Sequence, residues 1–117
     1  TYENVLRAYK EMVYDSTIAT DESILDFINR MNLQNSKYAF MSTLMGFNDH
    51  PNLNDRLKID IPTLIIWGRY DKLIPVRYAK KFKIPNSRIV IIDHCGHYPH
   101  LEKIDIFTKT VTKFLDN

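Results

Sequence analysis

The sequence predicts an α/β fold in which a helical first half precedes two parallel strands with covering helices. Residues 1 to about 57 carry apolar side chains at helical spacing, whereas residues 58 to 117 contain two short apolar runs rich in β-branched residues. A helix-forming segment follows each run. The order strand, helix, strand, helix is typical of two parallel strands joined by a right-handed crossover. We therefore divide the chain into a helical segment, 1–57, and an α/β segment, 58–117.

The first half contains three predicted helices and a short fourth one. TDESILDFINRMN begins at a suitable N-cap, Thr20, and the acidic residues that follow suit the positive end of a helix dipole. SKYAFMSTLMG ends at Gly46, which is a common residue at helix ends. After Pro51, LNDRL predicts a short helix that leads into the second half. The first helix, YENVLRAYKEMVYD, carries its apolar face on Val5, Leu6, Tyr9, Met12 and Val13.

Two apolar runs in the second half predict the strands. The apolar run in IPTLIIWG is bounded by Pro62 and Gly68, and SRIVIID is a similarly short stretch that is rich in β-branched residues. Continuous apolar runs of this length are typical of strands buried on both faces. PVRYAKKFK, which opens with Pro75, predicts the connecting helix. DIFTKTVTKFLDN predicts the final helix, with one side formed by Ile106, Phe107, Thr110, Val111, Phe114 and Leu115.

The composition excludes several classes of function. At 117 residues, 44% hydrophobic and 26% charged, the chain has enough material for one globular domain. A net charge of +2 is too small for a nucleic-acid footprint. No apolar run approaches the roughly 20 residues of a membrane span, so we expect no membrane insertion. The single Cys95 excludes a disulfide framework and a multi-thiolate zinc site, and it favours a reducing compartment such as the cytoplasm.

Catalytic or ligand-binding residues are expected in the two loops that follow the strands. Ligands of parallel sheets bind beyond the C-terminal ends of the strands. GRYDKLIP offers Asp71 three residues after Gly68, and DHCGHYPHLEK offers His97 directly after Gly96. Neighbouring parallel strands place their loops side by side, so we expect the Asp71 carboxylate to bind the His97 ring. Such a contact fixes the histidine tautomer and stabilises the imidazolium, as in the acid and base of a nucleophilic hydrolase.

The other polar residues of the second loop receive different interpretations. The spacing HxxHxxH in a loop lacks the helical arrangement that converges two histidines on a zinc ion, so we expect no metal and no other cofactor. His94 is interpreted as exposed, and His100 as a neighbour of the site or a residue at the helix entry. Cys95 is interpreted as a packing residue, because it lies beside the base and not on a nucleophile turn. Glu102 is expected to support the start of the final helix.

Three stretches, IPTLIIWGRYDKLIPVRYAKKF, SRIVIIDHCGHYPHLEK and FTKTVTKFL, resemble the C-terminal part of the α/β-hydrolase superfamily. In that family the triad acid follows a late strand in a G-x-x-D-x-x-x-P context, and the triad histidine lies in a GH dipeptide after the last strand. The resemblance implies that Asp71 is the acid, that His97 is the base, and that residues 1–57 are the end of a cap domain. It also implies an esterase-like hydrolysis of a small molecule, at an ester or activated carbonyl carbon, without a cofactor. The implied pocket residues are Leu73, Ile74 and Tyr98.

MVYDSTIATDE, WGRYDKLIP and CGHY are similar to the meta-cleavage-product hydrolases, which cut carbon-carbon bonds, and to related esterases. Two positions differ from that group. Tyr98 stands where the group has tryptophan after the histidine. Phe27 aligns near the cap arginine of the group, and Arg30 lies one turn away.

The nucleophile of this family lies on a G-x-S-x-G elbow before the cap. The chain has glycine only at positions 46, 68 and 96, and no serine lies between spaced glycines. We therefore expect a fragment or one part of a split protein, which supplies two triad members, requires an N-terminal hydrolase segment and is inactive alone. The alternative is a non-catalytic α/β-hydrolase-like binding or interaction module, whose open sheet edge pairs with a partner chain or a second copy.

Overall fold

The computed structural model describes residues 1–46 and 58–116, and the elements follow the predicted order. None of the helices in these two ranges is long and apolar enough to span a membrane. The short helix predicted in LNDRL lies outside the described residues. The helices and strands are α1 (Tyr2–Met12), α2 (Asp21–Met31), α3 (Ser36–Gly46), β1 (Thr63–Gly68), β2 (Ser87–Ile92), α4 (Pro99–Glu102) and α5 (Ile104–Leu115), with 3₁₀ helices at Ser16–Ile18 and Val76–Lys81.

The helices of the first half form where the sequence predicts them. Thr20 is the N-cap of α2, and its hydroxyl accepts a hydrogen bond from the Ser23 N–H at 3.2 Å. α1 packs against α2 around a small core of Tyr9, Val13 and Ile24, all of which are buried. Tyr98 from the second half packs against the same core. The residue that follows His97 is therefore anchored in the helical first half.

β1 and β2 pair in parallel, which confirms the predicted parallel pairing. Thr63 lies opposite Ser87 at one end, and Gly68 lies opposite Ile92 at the other. The pairing continues one step beyond the strands, where the Arg69 N–H donates to the Ile92 carbonyl at 2.9 Å. The two following loops therefore leave the sheet at the same edge.

The connection between the strands differs from the prediction. A 3₁₀ helix, Val76–Lys81, replaces the expected α-helix, and Pro75 precedes it with an extended ψ of 140°. The segment is short, since Phe82 already has extended backbone angles and Pro85 restricts the residue before it. An α-helix gains stability cooperatively with length, so a segment of six residues favours the tighter turn.

The expectation that both strands are buried on both faces was wrong for this chain. Most strand residues are partly exposed, and Ile89 is 37% exposed. The buried strand residues are Gly68 and Ile92, at the ends that carry the loops. A sheet of two strands has two open edges, and the packing of α5 against β1 covers only part of its surface. Burial is therefore concentrated at the loop end of the sheet.

Candidate active site

Asp71 and His97 meet at the C-terminal edge of the sheet. His97 Nδ1 lies 2.8 Å from Asp71 Oδ2, so the predicted contact is present. The Asp71 side chain is 5% exposed and the His97 side chain 25% exposed. A carboxylate accepts hydrogen bonds, so the proton in this contact lies on Nδ1. The other ring nitrogen, Nε2, is then the one that can exchange a proton with a reacting group.

The Asp71 carboxylate is held by the backbone of its own loop. Its Oδ1 accepts hydrogen bonds from the N–H groups of Leu73 at 2.9 Å and Ile74 at 2.8 Å. Aspartate commonly binds backbone groups two and three residues later, which explains why this loop folds around it. With Oδ1 occupied in this way, Oδ2 is directed at His97.

Two glycines allow the loops and α1 to approach each other closely. A Cβ atom on Gly96 would lie 2.5 Å from the Met12 carbonyl oxygen, and one on Gly68 would lie within 3 Å of the backbone of the second loop. No real Cβ atom fits at such distances, so the absence of a side chain is required at both positions. The Tyr70 N–H donates to the Cys95 carbonyl at 2.9 Å across the same contact. The two loops are therefore packed backbone against backbone.

The end of α1 is the third part of the site. The His97 N–H donates to the Met12 carbonyl at 2.7 Å, which satisfies one of the carbonyls that a helix end leaves free. The Tyr98 ring stacks on Tyr9 with 5.4 Å between ring centroids. Burial raises the pKa of Tyr98 above its ordinary value, and the neighbouring Tyr9 adds to this shift. The phenol thus remains neutral while it anchors the loop to α1.

Glu102 has a different role from the predicted one. It is the last residue of α4, and its carboxylate accepts hydrogen bonds from the backbone N–H groups of Gly96, Tyr98 and Tyr14. The sequence does not indicate the contact of Glu102 with Tyr14, because no local pattern reports on positions 88 residues apart. The only sequence signal is an acidic residue shortly after a glycine-histidine loop.

The other loop residues lie as interpreted. The His94 side chain is 60% exposed and rests beside the rings of Tyr14 and Tyr70. His100 lies in α4, at the entry to the final helices. Cys95 is fully buried, and this burial raises the pKa of its thiol to about 11, which agrees with a packing role.

Across residues 1–46 and 58–116, no three His, Cys, Asp or Glu side chains converge as metal ligands.

A cleft of about 320 Å³ opens beside the site, between the first-half helices and α4. Of the three predicted pocket residues, Tyr98 lines this cleft, whereas Leu73 and Ile74 do not line it and lie at the Asp71 carboxylate. Arg30 also lines the cleft and forms an ion pair with Asp26 at 2.7 Å. A larger and more open depression runs along α5, away from the loops. The cleft is lined by Tyr9, Ser23, Asp26, Phe27, Arg30, Tyr98, His100 and Leu101.

Residues 3–104 match the family model described as alpha/beta hydrolase fold. The chain belongs to this family. The match confirms the α/β-hydrolase fold class and the assignment to the superfamily that the sequence motifs indicated. An α/β hydrolase places its ligands at the loop edge of the sheet, which is where Asp71 and His97 lie.

Two individual relatives show what share of a related protein this chain covers. It is 31% identical to a 2-hydroxy-6-oxononadienedioate/2-hydroxy-6-oxononatrienedioate hydrolase of Cupriavidus pinatubonensis, over 98% of this chain and 42% of that protein. A hydrolase with the same description from Pseudomonas putida is 30% identical over the same shares. The chain therefore spans less than half the length of these relatives.

Two solved hydrolase structures each contain a part that has the fold of this chain. The serine hydrolase CarC, involved in carbazole degradation, superposes with a TM-score of 0.79 at 25% identity, over 99% of this chain and 47% of CarC. The meta-cleavage product hydrolase CumD of Pseudomonas fluorescens superposes with a TM-score of 0.76 at 22% identity, over 99% and 46%. At 22% identity, the likeness to CumD shows a shared fold and nothing about activity.

Proposed function

We propose that this chain contributes the acid, Asp71, and the base, His97, of a hydrolase triad that acts on a small molecule at an ester or activated carbonyl carbon. The 2.8 Å contact between His97 Nδ1 and Asp71 Oδ2 carries the proposal. The relatives named as hydrolases of 2-hydroxy-6-oxo compounds support the substrate class, because an oxo group presents a carbonyl carbon to a nucleophile.

In the proposed mechanism His97 Nε2 accepts the proton of a serine-type nucleophile as that nucleophile attacks the carbonyl carbon. The Asp71 carboxylate stabilises the imidazolium that forms. The imidazolium then donates its proton to the leaving group as the bond to the carbonyl carbon breaks. In the second half of the reaction, His97 removes a proton from water as the water attacks the covalent intermediate, and it returns this proton to the nucleophile as the bond between the nucleophile and the carbonyl carbon breaks. Asp71 does not have to reorganise, because two backbone N–H groups already hold it.

The proposal includes the division of the chain into a cap, 1–57, and part of the hydrolase core, 58–117. Support comes from α1, whose last turn lies on the loop that carries His97. The pocket is proposed to be bordered by Leu73, Ile74 and Tyr98. Tyr98 lines the cleft beside α4, and Leu73 is more than half exposed next to the acid.

The nucleophile is proposed to lie outside these 117 residues, since the sequence has no G-x-S-x-G elbow. The chain would then act as a fragment that requires an N-terminal hydrolase segment, and it would be inactive alone. A single buried cysteine supports a location in the cytoplasm.

A non-catalytic interaction module is the second candidate. The outer edges of β1 and β2 favour it, because in the described residues the sheet has only these two strands and an open edge can pair with a partner chain or with a second copy. This candidate differs from the hydrolase in one respect that can be measured: it predicts no turnover that depends on His97.

The test substitutes His97→Ala in the form of the protein that carries a nucleophile, with p-nitrophenyl acetate as the activated ester. We expect kcat to fall by about 10³-fold or more, because the nucleophile loses its proton acceptor. The matched control is His94→Asn on the same loop. His94 is exposed and has a φ of 48°, which asparagine tolerates, so kcat should stay near the parent value.

Circular dichroism of both variants verifies the fold in this test. Turnover that survives His97→Ala in a folded protein would contradict the proposed function and favour the interaction module. An equal loss in both variants would also contradict it, because the effect would then belong to the loop and not to the base.

A further inference from the structure

The Glu102 carboxylate joins the loop of His97 to the end of α1. Its Oε1 accepts hydrogen bonds from the N–H groups of Gly96 at 3.0 Å and Tyr98 at 3.1 Å. Its Oε2 accepts from the Tyr14 N–H at 2.7 Å and shares the Gly96 N–H at 3.0 Å. Gly96 and Tyr98 are the two residues on either side of His97. A single side chain therefore binds the backbone before and after the base.

The remaining N–H of this loop segment is also bound. The His97 N–H donates to the Met12 carbonyl at 2.7 Å, so three consecutive N–H groups are held, two by Glu102 and one by α1. The Glu102 N–H donates to the Tyr98 carbonyl at 2.8 Å within the turn of α4, so the backbone of Glu102 is itself held next to this loop. The backbone that carries His97 can therefore not shift without breaking contacts with α1 or α4.

A carboxylate suits this position for a chemical reason. It presents two oxygens that only accept hydrogen bonds, and bonds to a charged acceptor are about twice as strong as neutral ones. Glutamine keeps one accepting oxygen, but its NH₂ group would face the N–H of either Tyr14 or the His97 loop. The backbone around Gly96 is also closely packed, because a Cβ atom there would lie 2.5 Å from the Met12 carbonyl oxygen.

We propose that Glu102 is a positioning residue that fixes the His97 backbone to the end of α1 and thereby keeps His97 Nδ1 on Asp71 Oδ2. This inference rests on the proposed function of His97 as the base. Glu102 acts through the loop and has no direct contact with the reacting atoms in this role. It makes the geometry of the base depend on α1, which is part of the proposed cap.

The test uses Glu102→Gln and Glu102→Ala in the form of the protein that carries a nucleophile. Displacing a catalytic group by about 1 Å can cost about 10²-fold in rate, so we expect Glu102→Ala to lower kcat by up to that factor and Glu102→Gln by less. KM should change little, because Glu102 does not bind the substrate. Glu102→Gln has nearly the same shape, so it provides a folded variant if Glu102→Ala does not fold. Asp105→Asn, at an exposed carboxylate in the first turn of α5, is the matched control.

A second readout separates positioning from mere structural support. The proton on His97 Nδ1 gives a downfield NMR signal when it is bound to the Asp71 carboxylate, and both Glu102 variants should weaken or shift this signal well below their melting temperature. If Glu102 only stabilised the fold, the variants would melt earlier but keep the parent signal and the parent kcat. That result would overturn the inference.

The two proposals fail in different ways. If His97→Ala removes turnover while both Glu102 variants keep the parent kcat and NMR signal, the Glu102 inference fails alone. If His97→Ala keeps its turnover, the proposed function fails, and the NMR signal then decides only whether Glu102 holds the His97 ring on Asp71.

Discussion

Gly68 and Gly96 are in direct backbone contact, such that a Cβ atom on Gly68 would lie 1.9 Å from the Gly96 carbonyl oxygen. This contact brings the loop after β1 against the loop after β2. The Asp71 carboxylate, three residues beyond Gly68, then lies within hydrogen-bond distance of the His97 ring. The contact between the proposed acid and base therefore depends on two residues that have no side chain.

Gly68→Ala is predicted to destabilise the chain strongly. The added methyl group would overlap backbone atoms that cannot rotate away, and overpacking of this kind costs about 3 kcal/mol. Urea denaturation measures the change in the free energy of unfolding. Gly46→Ala is the matched control, because among residues 1–46 and 58–116 no atom outside its own helix and its chain neighbours lies within 4 Å of an added Cβ, and its stability should be unchanged or slightly higher. Equal unfolding midpoints for the two variants would contradict the prediction.

Asp71→Asn is predicted to abolish most turnover in the form of the protein that carries a nucleophile. Asparagine can still accept the Leu73 and Ile74 N–H groups with its oxygen, but its NH₂ group would then face His97 and favour the wrong tautomer. Changes of this kind in other triads lower kcat by about 10⁴-fold. Steady-state kinetics on p-nitrophenyl acetate measures the loss.

The control for Asp71→Asn is Asp93→Asn, at the end of β2. Asp93 is more than half exposed and pairs with Arg69 at 3.1 Å, a surface contact that contributes little. Its kcat should remain near the parent value. Asp71→Asn with undiminished kcat would show that the carboxylate does not orient the base.

Cys95 is predicted to make the stability fall in alkaline solution. Burial raises the pKa of the folded thiol from 9.0 to about 11. The unfolded chain loses this proton first, so the free energy of unfolding decreases as pH rises from about 9 to about 11. Urea unfolding at several pH values measures the slope in the parent chain and in Cys95→Ala.

The Cys95→Ala chain should be less stable at neutral pH, because it leaves a cavity, but it should lose less stability between pH 9 and 11. Burial raises the pKa of Tyr98 too, and this affects both proteins alike, so the difference between their slopes isolates the thiol. Parallel pH curves for the two proteins would contradict the prediction.

Much of the fold follows from local patterns. The cap residue Thr20, the helical spacing of the first half and the two apolar runs all predict elements that the structure contains. The contact between Asp71 and His97 was predictable as well, since parallel strands place their following loops at one edge. The 3₁₀ form of the connecting segment was not predictable, because Pro75 suits the first turn of an α-helix and an extended residue before a 3₁₀ helix equally well.

By itself, the sequence determined the order of the elements, the parallel pairing and the two residues proposed as acid and base, because these depend on periodicity and on short spacings. Only the tertiary structure decided that Glu102 binds the loop of His97, that Tyr98 lines the cleft while Leu73 and Ile74 lie at Asp71, and that the strands remain partly exposed. Some of these features are short-range hydrogen bonds of a folded loop, such as those from the Leu73 and Ile74 N–H groups to Asp71. Others are set by contacts between residues far apart in the chain, such as Tyr14 and Glu102, which lie 88 positions apart. Local propensity contains no information about such contacts, since they form only when several packed elements exclude every other arrangement.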